Sequence, residues 1–263
     1  MISLSSAKKD KIEKTTGKKA HLITTITSQK TGSNCYILAE QGHALIIDPD
    51  DTKRILRFLR ETRLRPDRIL LTHEHFDHIG AVDALRELYR IPLLCSLQTS
   101  ENITSEKMNL SIIYDLYVFE QSGIVSSERH PAFRLHPAEE TFEEEMSLSF
   151  FEHTLRLKRI PGHSPGSTLI QLDDTIFFTG DYGILGQNDN LSLPGGNPAE
   201  YEAYTKPVLQ KIPAGSTIYP GHGGHYKAQE KGFSWAFFMR MRSSRWAPND
   251  ATPGEHLVVQ LLI

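Results

Sequence analysis

The segment Leu71–Gly80, which reads LTHEHFDHIG, concentrates potential metal ligands within ten residues. Three imidazoles and one carboxylate lie in it, at His73, His75, Asp77 and His78. Neutral histidine is the commonest protein ligand for metals, and this mixture of nitrogen and oxygen donors suits zinc, iron or manganese. Single residues of these types are ordinary in loops and at helix caps, but the spacing HxHxDH favours a shared metal. The chain is therefore expected to be a soluble metal-dependent hydrolase.

The sequence around this motif predicts where its side chains lie. The apolar run at 68–71 is typical of a short strand, and residues two apart on an extended chain face the same side. The segment 80–90 then carries apolar residues at the spacing of an amphipathic helix. We expect His73 and His75 to share one side, and Asp77 and the next histidine to lie at a strand-to-helix corner.

Further donors follow three other apolar runs, each inside a turn that contains glycine. The run at 150–160 leads into PGHSPGS, TIFFTGD ends in a carboxylate, and STIYPGH ends in an imidazole. These donors are His163, Asp181 and His222. A single histidine or aspartate in a turn is ordinary, but the repeated layout of strand, then donor, indicates one common site.

The ordered motifs HxHxDH, PGHSPGS, TGD and PGHG resemble those of the metallo-β-lactamase superfamily, and its glyoxalase II-like branch in particular. Residues 34–50, NCYILAEQGHALIIDPD, are similar to the two-strand opening of that family. The resemblance extends from residue 20 to residue 231. It implies an α/β fold, an αββα sandwich of two packed mixed β-sheets flanked by helices, and the alternation of predicted strands and helices agrees with such layers.

The resemblance also implies a complete dinuclear ligand set. A first metal would be held by His73, His75 and His163, a second by Asp77, His78 and His222, with Asp181 bridging the two. The implied cofactor is a pair of Zn²⁺ ions, with iron or manganese as alternatives. A divalent ion lowers the pKa of bound water from 15.7 towards about 7, so a metal-bridging hydroxide can attack a carbonyl without a separate base. Asp77 and Asp181 are the candidate catalytic carboxylates, and Asp77 is also a candidate to accept a proton from the tetrahedral intermediate.

Two acidic residues beside these motifs have different predicted roles. Asp48, at the end of the run ALIID, can accept a hydrogen bond from a metal-binding imidazole, as carboxylates near such rings usually do. It can equally be a turn residue within DPDD. Glu74 is expected to point away from the two histidines beside it if the chain is extended.

Thioester hydrolysis is the leading reaction because the motifs are most similar to those of thioester hydrolases, and a thiolate leaving group needs little protonation. A lactonase or other ester hydrolase could use the same dinuclear site. The segment GDYGILGQNDNLSLPGGN resembles a GD…GRxD…GG segment of short glyoxalase II-like enzymes, but Gln187 and Asn188 stand where an arginine is expected. The substrate or its support is therefore expected to differ from theirs.

Two further classes of function remain open at this point. Persulfide dioxygenases share the fold and use one iron held by two histidines and an aspartate, so a mononuclear iron enzyme is an alternative. A protein that binds a ligand through a retained metal site, without turnover, is another.

Composition limits the partners. The chain has 263 residues, a net charge of −3 and dispersed Lys and Arg, so no basic stripe indicates a nucleic-acid partner. The expected partner is a small-molecule or carrier-bound acyl substrate. The polar, lysine-rich start lacks the apolar core of a secretory signal, and no stretch is apolar enough to span a membrane, so a cytoplasmic protein without membrane contact is expected. Cys35 and Cys95 lie in apolar runs and are expected to be buried thiols.

The predicted organisation is a polar N-terminal extension, 1–20, followed by a single domain, 21–263. Within that domain, residues 101–150 form a candidate lid or insertion that could determine specificity. The aromatic-rich segment 231–246 could pack on the sandwich, line the pocket or form a homodimer contact.

Overall fold

Two six-stranded sheets are built in the part of the chain that the computed structural model describes, residues 22–122 and 130–229. The first sheet consists of Leu22–Thr27 (β1), Asn34–Glu40 (β2), His43–Ile47 (β3), Arg65–Leu70 (β4), Leu93–Ser96 (β5) and Glu140–Phe142 (β6). The second consists of Glu145–Phe150 (β7), His153–Arg159 (β8), Thr168–Leu172 (β9), Ile176–Gly180 (β10), Thr217–Pro220 (β11) and Tyr226–Lys227 (β12).

The helices follow the strands in alternation. They are Thr52–Thr62 (α1), Phe76–Ile79 (α2), Val82–Tyr89 (α3), Leu97–Asn102 (α4), Tyr114–Ser122 (α5), Pro198–Glu200 (α6) and Lys206–Leu209 (α7). A 3₁₀ turn, Ser111–Ile113, precedes α5, and a π-helical turn, Tyr201–Thr205, joins α6 to α7.

Both sheets are mixed, and in each the strands follow chain order across the sheet. In the first sheet, β1, β2 and β3 pair antiparallel, and β3, β4, β5 and β6 pair parallel. In the second sheet, β10 and β11 are parallel and the other neighbours are antiparallel. Parallel neighbours need crossover connections, and α1 and α3 provide two of them.

Three apolar layers match the expected sandwich. Alternate residues of β2 and β3 enter different layers, because successive strand side chains point to opposite faces. Ile37 and Ile46 pack with α1 and α3 on the outer face of the first sheet, whereas Leu38 and Leu45 pack between the sheets. A third cluster, which includes Phe177, covers the outer face of the second sheet. The αββα architecture is confirmed, and the continuous apolar runs follow from burial on both faces.

The predicted helix over 80–90 is confirmed as α3, preceded by the single turn α2. Val82 and Leu85 are buried, and Tyr89 packs against the same cluster. Leu88, by contrast, is exposed. Cys35 and Cys95 are free, buried thiols, as expected.

The candidate insertion 101–150 contributes to both sheets as well as carrying a helix. Its first half contains α5, and its second half supplies β6 and β7, which form the edge strands of the two sheets. The described residues fall within one unit, Met1–Phe233. Residues 1–20 and 231–246 lie outside the described residues. The single domain over 21–263, the lid at 101–150 and the homodimer contact stay predictions. No helix among the described residues combines the length and apolar character that crossing a bilayer requires.

Candidate metal centre

The donors that follow strands meet because those strands run in one direction. β8 and β10 are both antiparallel to β9, and β11 is parallel to β10, so all three end at the same edge of the second sheet. His163, Asp181 and His222 follow these ends. The segment after β4 in the first sheet meets them there, where Thr168 N donates to the Thr72 carbonyl at 2.7 Å.

The histidine motif reaches the site by a shorter strand than expected. β4 ends at Leu70, and residues 71–75 continue as an irregular segment into α2. The rings of His73 and His75 are nevertheless 4.7 Å apart between centroids, so the two side chains share one side as expected. Both also lie near the His163 ring, at 5.0 and 4.7 Å between centroids.

His73, His75 and His163 form one buried group that could hold a metal ion. The Nε2 atom of His163 lies 3.0 Å from Nδ1 of His75. Asp77, His78 and His222 form a second such group. Asp77 Oδ2 lies 3.2 Å from His222 Nε2 and 3.7 Å from His78 Nε2.

Asp181 lies between the two groups. Its Oδ2 atom is 3.5 Å from His163 Nε2 in the first group. Its Oδ1 atom is 3.3 Å from His78 Nε2 and 3.7 Å from His222 Nε2 in the second. One carboxylate therefore faces both groups, which is the position that a bridging ligand requires.

The donor set fits a metal by an independent test. Buried polar atoms in native proteins almost always have a hydrogen-bond partner, and exceptions need an explanation. His73 Nε2, His78 Nε2 and Asp181 Oδ1 are buried without one among the described residues. Cations bound in the two donor groups would satisfy all three, and the nitrogen and oxygen donors match zinc, iron or manganese.

The protonation of the cluster agrees with cation binding. Burial lowers the pKa of His73, and it lowers the pKa of His75 to about 3, with neighbouring imidazoles adding to the effect, so both rings are neutral. Burial acts against charge on His78 too, but Asp77 and Asp181 outweigh it and raise the pKa of that ring. The pKa of Asp181 is held well below its usual range, because His222 and His78 outweigh the effect of burial. Metal binding would release the protons that His78 and His222 hold beside the carboxylates of Asp77 and Asp181.

Neighbouring acceptors lie beside two of the imidazoles. His163 Nδ1 donates to the Asn190 carbonyl at 2.7 Å, whereas His78 Nδ1 lies 3.3 Å from Asp48 Oδ2 at ion-pair distance, without hydrogen-bond geometry. A nitrogen that donates to such an acceptor leaves the other ring nitrogen free to bind a metal. Asp48 is fully buried and also accepts from Thr72 N at 2.7 Å and from the Thr72 hydroxyl at 2.5 Å. The structure thus favours the imidazole-orienting role of Asp48 over that of an ordinary turn residue.

Asp48→Asn is expected to weaken metal retention and kcat/KM by about 10- to 100-fold. Asp48 has a left-handed φ of 52°, which asparagine also tolerates, so the backbone is kept. The amide group places a donor where Oδ2 now accepts. Metal per chain after dialysis against a chelator checks this. Asp51→Asn is the matched control, because asparagine caps α1 as well as Asp51 does. Equal metal retention by both variants would contradict the role of Asp48.

Glu74 connects two ligand segments from behind the site. Its buried carboxylate accepts from Ser164 Oγ at 2.9 Å, Asn102 Nδ2 at 2.8 Å and Thr99 Oγ1 at 3.3 Å. It points away from the neighbouring histidines, as expected. Sequence reasoning missed its bracing function, because the partners on α4 and in the PGHSPGS turn are distant in the chain.

The loop that holds Asn190 depends on a second carboxylate, which is partly buried. Asp189 accepts from Gly183 N at 2.9 Å and from the Tyr201 hydroxyl at 2.7 Å. The same loop approaches the ligand turn, where the Tyr182 hydroxyl accepts from His163 N at 2.7 Å. These positioning residues carry no distinctive sequence signal beyond the resemblance of their segment to GRxD.

Burial raises the pKa of Asp189 to about 6, from a usual value of 3.8. The folded chain therefore holds this proton more tightly than the unfolded chain, and stability falls as pH rises from about 4 to about 6. At pH 7 the ionised Asp189 lowers the free energy of unfolding by on the order of 3 kcal/mol. Asp189→Asn is expected to remove this pH dependence. The melting temperature of the variant, relative to that of the wild type, should therefore be higher at pH 7.5 than at pH 5. Thermal unfolding at both pH values checks this, and parallel shifts of both proteins would contradict it.

The histidines outside the motif turns have structural partners where they are described. His43, His130, His136 and His153 lie within 3.0 Å of carboxylates, on Asp67, Asp115, Asp83 and Asp173. His225 stacks on Tyr219 with ring centroids 5.1 Å apart. His21 and His256 lie outside the described residues.

Comparison with known proteins agrees with this geometry. The family model described as "Metallo-beta-lactamase superfamily" matches residues 29–222. The chain is 30% identical over 193 residues to the probable metallo-hydrolase YqgX of Bacillus subtilis, which covers 73% of this chain and 85% of that protein. It is 28% identical over 186 residues to a hydroxyacylglutathione hydrolase of Psychromonas ingrahamii, which covers 70% of this chain and 58% of that protein.

Two solved structures are each 28% identical to this chain in sequence. BLEG-1 B3 metallo-beta-lactamase has a TM-score of 0.67 and 28% identity, over 78% of this chain and 93% of that one. TTHA1623, solved in a di-iron-bound form, has a TM-score of 0.56 and 28% identity, over 77% of this chain and 93% of that one.

Proposed function

The chain belongs to the metallo-β-lactamase superfamily, whose members among its relatives include metallo-hydrolases, and from that premise we propose that it is a dinuclear metallo-hydrolase that cleaves an acyl thioester. The single observation that carries the proposal is the position of Asp181, whose two oxygens face both donor groups. A carboxylate placed in this way is suited to hold two cations side by side.

Seven side chains supply the proposed ligands, in the sets that the family resemblance implies. One ion is assigned to His73, His75 and His163 and the other to Asp77, His78 and His222, with Asp181 shared. The cofactor is proposed to be two Zn²⁺ ions. Iron and manganese suit the same donors, and a similar protein has been solved with two irons.

A pair of divalent ions supplies a hydroxide nucleophile at neutral pH and stabilises negative charge on an attacked carbonyl oxygen. The protein side chains orient and neutralise this centre. Asn190 orients the His163 ring through a hydrogen bond, Asp48 places a negative charge beside the His78 ring, and Glu74 keeps the histidine motif against the PGHSPGS turn. Asp77 is proposed to accept a proton as the tetrahedral intermediate breaks down, since its carboxylate lies among the donors and is held ionised by His78 and His222.

A cleft whose lining includes Asn190, the hydrogen-bond partner of His163, supports an acyl substrate with a neutral, hydrogen-bonding group. It has a volume of about 620 Å³ and is lined by Gln187, Asn188, Asp189, Asn190, Leu191, Ser192 and Pro198. None of these lining residues is a cation, in agreement with the absence of the arginine expected at 187–188. Its side-chain amides and hydroxyl can form hydrogen bonds with amide-containing thiols or carrier-bound acyl groups, and Asp189 in the same lining disfavours a substrate carboxylate. A relative that acts on hydroxyacylglutathione supports thioester chemistry in general.

The test combines elemental analysis of protein purified without added metal with a panel of acyl thioesters and lactones. About two zinc ions per chain and preferential thioester cleavage are the expected results. Preferential lactone cleavage would favour the lactonase alternative. One iron per chain, with oxygen uptake and sulfite formation from a persulfide, would identify a dioxygenase, and metal without turnover would identify a binding protein. Full activity after complete metal removal would overturn the mechanism itself.

A further inference from the structure

Helix α5 is fixed directly to the ligand-bearing segment. The ring of Phe76, which lies between two motif donors in the chain, contacts Tyr114 at 5.0 Å and Tyr117 at 5.4 Å between centroids. Aromatic contacts at these distances prefer defined geometries, so they hold the helix at a set angle. The face of α5 that carries the two tyrosines is thereby turned towards α2 and its donors.

The Tyr117 hydroxyl lies at the rim of the second donor group. It donates to the Thr31 carbonyl over a long distance, 3.4 Å, and it is in hydrogen-bonding contact with the Asp77 carboxylate. Thr31 precedes Gly32, where a Cβ atom would lie 4.0 Å from Nδ1 of His222. The phenol oxygen therefore stands between the loop that borders His222 and the side chain of Asp77.

This phenol is a constant donor. A phenol has an ordinary pKa of about 10, so the hydroxyl keeps its proton at neutral pH. The ring is only half-buried. A neutral donor at this place can approach an oxygen on which negative charge develops without itself changing charge.

We propose that Tyr117 donates a hydrogen bond to the oxygen of the reacting carbonyl and stabilises it as that oxygen becomes negative. This inference rests on the proposed hydrolysis. The phenol transfers no proton; its single hydrogen, which the Thr31 carbonyl and the Asp77 carboxylate now share as acceptors, turns to the substrate oxygen and forms a charge-assisted bond there. Tyr117 is thus a catalytic residue, supplied by the 101–150 segment and not by the ligand motifs.

Tyr117→Phe in the metal-loaded protein tests the inference. The ring and its contact with Phe76 are kept, and only the hydroxyl is lost. On any thioester or lactone that the wild type cleaves, kcat is expected to fall about 100-fold, with KM changing little. Metal content should stay at the wild-type value, and the melting temperature should stay within about 4 °C, as for the loss of one hydrogen bond.

A binding measurement provides a readout that does not depend on turnover. Ethyl methylphosphonate, an anionic tetrahedral mimic of an attacked ester, should bind the metal-loaded variant about 10-fold or more weakly than it binds the wild type. Tyr114→Phe is the matched control, because it removes a phenol from the same helix. Among the carboxylates, Asp50 raises the pKa of Tyr114 most, ahead of Asp77. This variant should bind and turn over as the wild type does.

The possible failures are distinguishable. If the wild type cleaves no acyl substrate but binds the phosphonate in a Tyr117-dependent manner, the hydrolase proposal fails and the donor role stands. Equal losses in both variants, or loss of metal in Tyr117→Phe, would mean that the hydroxyl acts through the fold or through Asp77, and would overturn the proposal. Wild-type kcat and phosphonate affinity in Tyr117→Phe would overturn it too, as would a metal-loaded wild type that fails to bind the phosphonate.

Discussion

Asp181→Asn is expected to lower kcat/KM by more than about 100-fold, since even residues that only orient ligands cost 10- to 100-fold when they are replaced. The carboxylate has oxygens within 3.5 Å of nitrogens in both donor groups. Asparagine keeps one acceptor but replaces the other with a donor and removes the negative charge. Metal content should therefore fall in step with activity, from about two ions per chain to one or fewer.

Elemental analysis and steady-state kinetics on the same preparation check this prediction. Asp174→Asn is the matched control. This substitution makes the same chemical change, but at a side chain that is 87% exposed. The control should keep wild-type metal and turnover. If Asp181→Asn also keeps two ions and full turnover, the shared-ligand role is wrong.

Gly221→Ala is expected to disrupt the same centre by steric means. A Cβ atom at Gly221 would lie 2.2 Å from Asp181 Oδ1 and 2.9 Å from Cε1 of His78. It would also meet the backbone of Gly180 at 3.1 Å, so the space cannot be regained by moving a flexible side chain. Asp181 and His78 must shift, and a displacement of about 1 Å at a reacting centre can cost about 100-fold in rate.

The same variant should be destabilised by about 1–3 kcal/mol, as is usual when a methyl group is added to a packed site. Activity, metal content and denaturant unfolding check the three effects. Gly224→Ala is a close control, because a Cβ atom at Gly224 meets nothing within 4 Å. Its stability should stay within about 0.5 kcal/mol of the wild type. A fully active, metal-replete Gly221→Ala protein would show that the close approach is not needed.

The local elements of the fold were predictable where the pattern was strong. The strand before the histidine motif, the helix after it and the strands before His163, Asp181 and His222 all follow from apolar periodicity and flanking turns. The exact end of β4 was not, because the chain leaves the sheet two residues before His73. Hydrogen bonds from distant segments determine that point, for example the bond from Thr168 N to the Thr72 carbonyl.

The supporting residues of the site were the least predictable. Glu74, Asn190 and Tyr117 act through partners far away in sequence, and each belongs to a residue type that is common in loops and helices. Nothing in their neighbours indicates that Glu74 meets Ser164 or that Tyr117 meets Asp77. Such contacts depend on how the sheets and α5 pack, and a local sequence pattern does not determine that packing.

The sequence by itself determined the identity of the donors and the alternation of strands and turns that delivers them, because ligand chemistry and hydrophobic periodicity are local properties. Only the tertiary structure decided that Asp181 faces both donor groups and that the Asn190 carbonyl and the Tyr117 hydroxyl come close to them from distant segments. The physical reason is that β8, β10 and β11 end at one edge, next to the segment after β4, only when both sheets have formed their pairings and packed face to face.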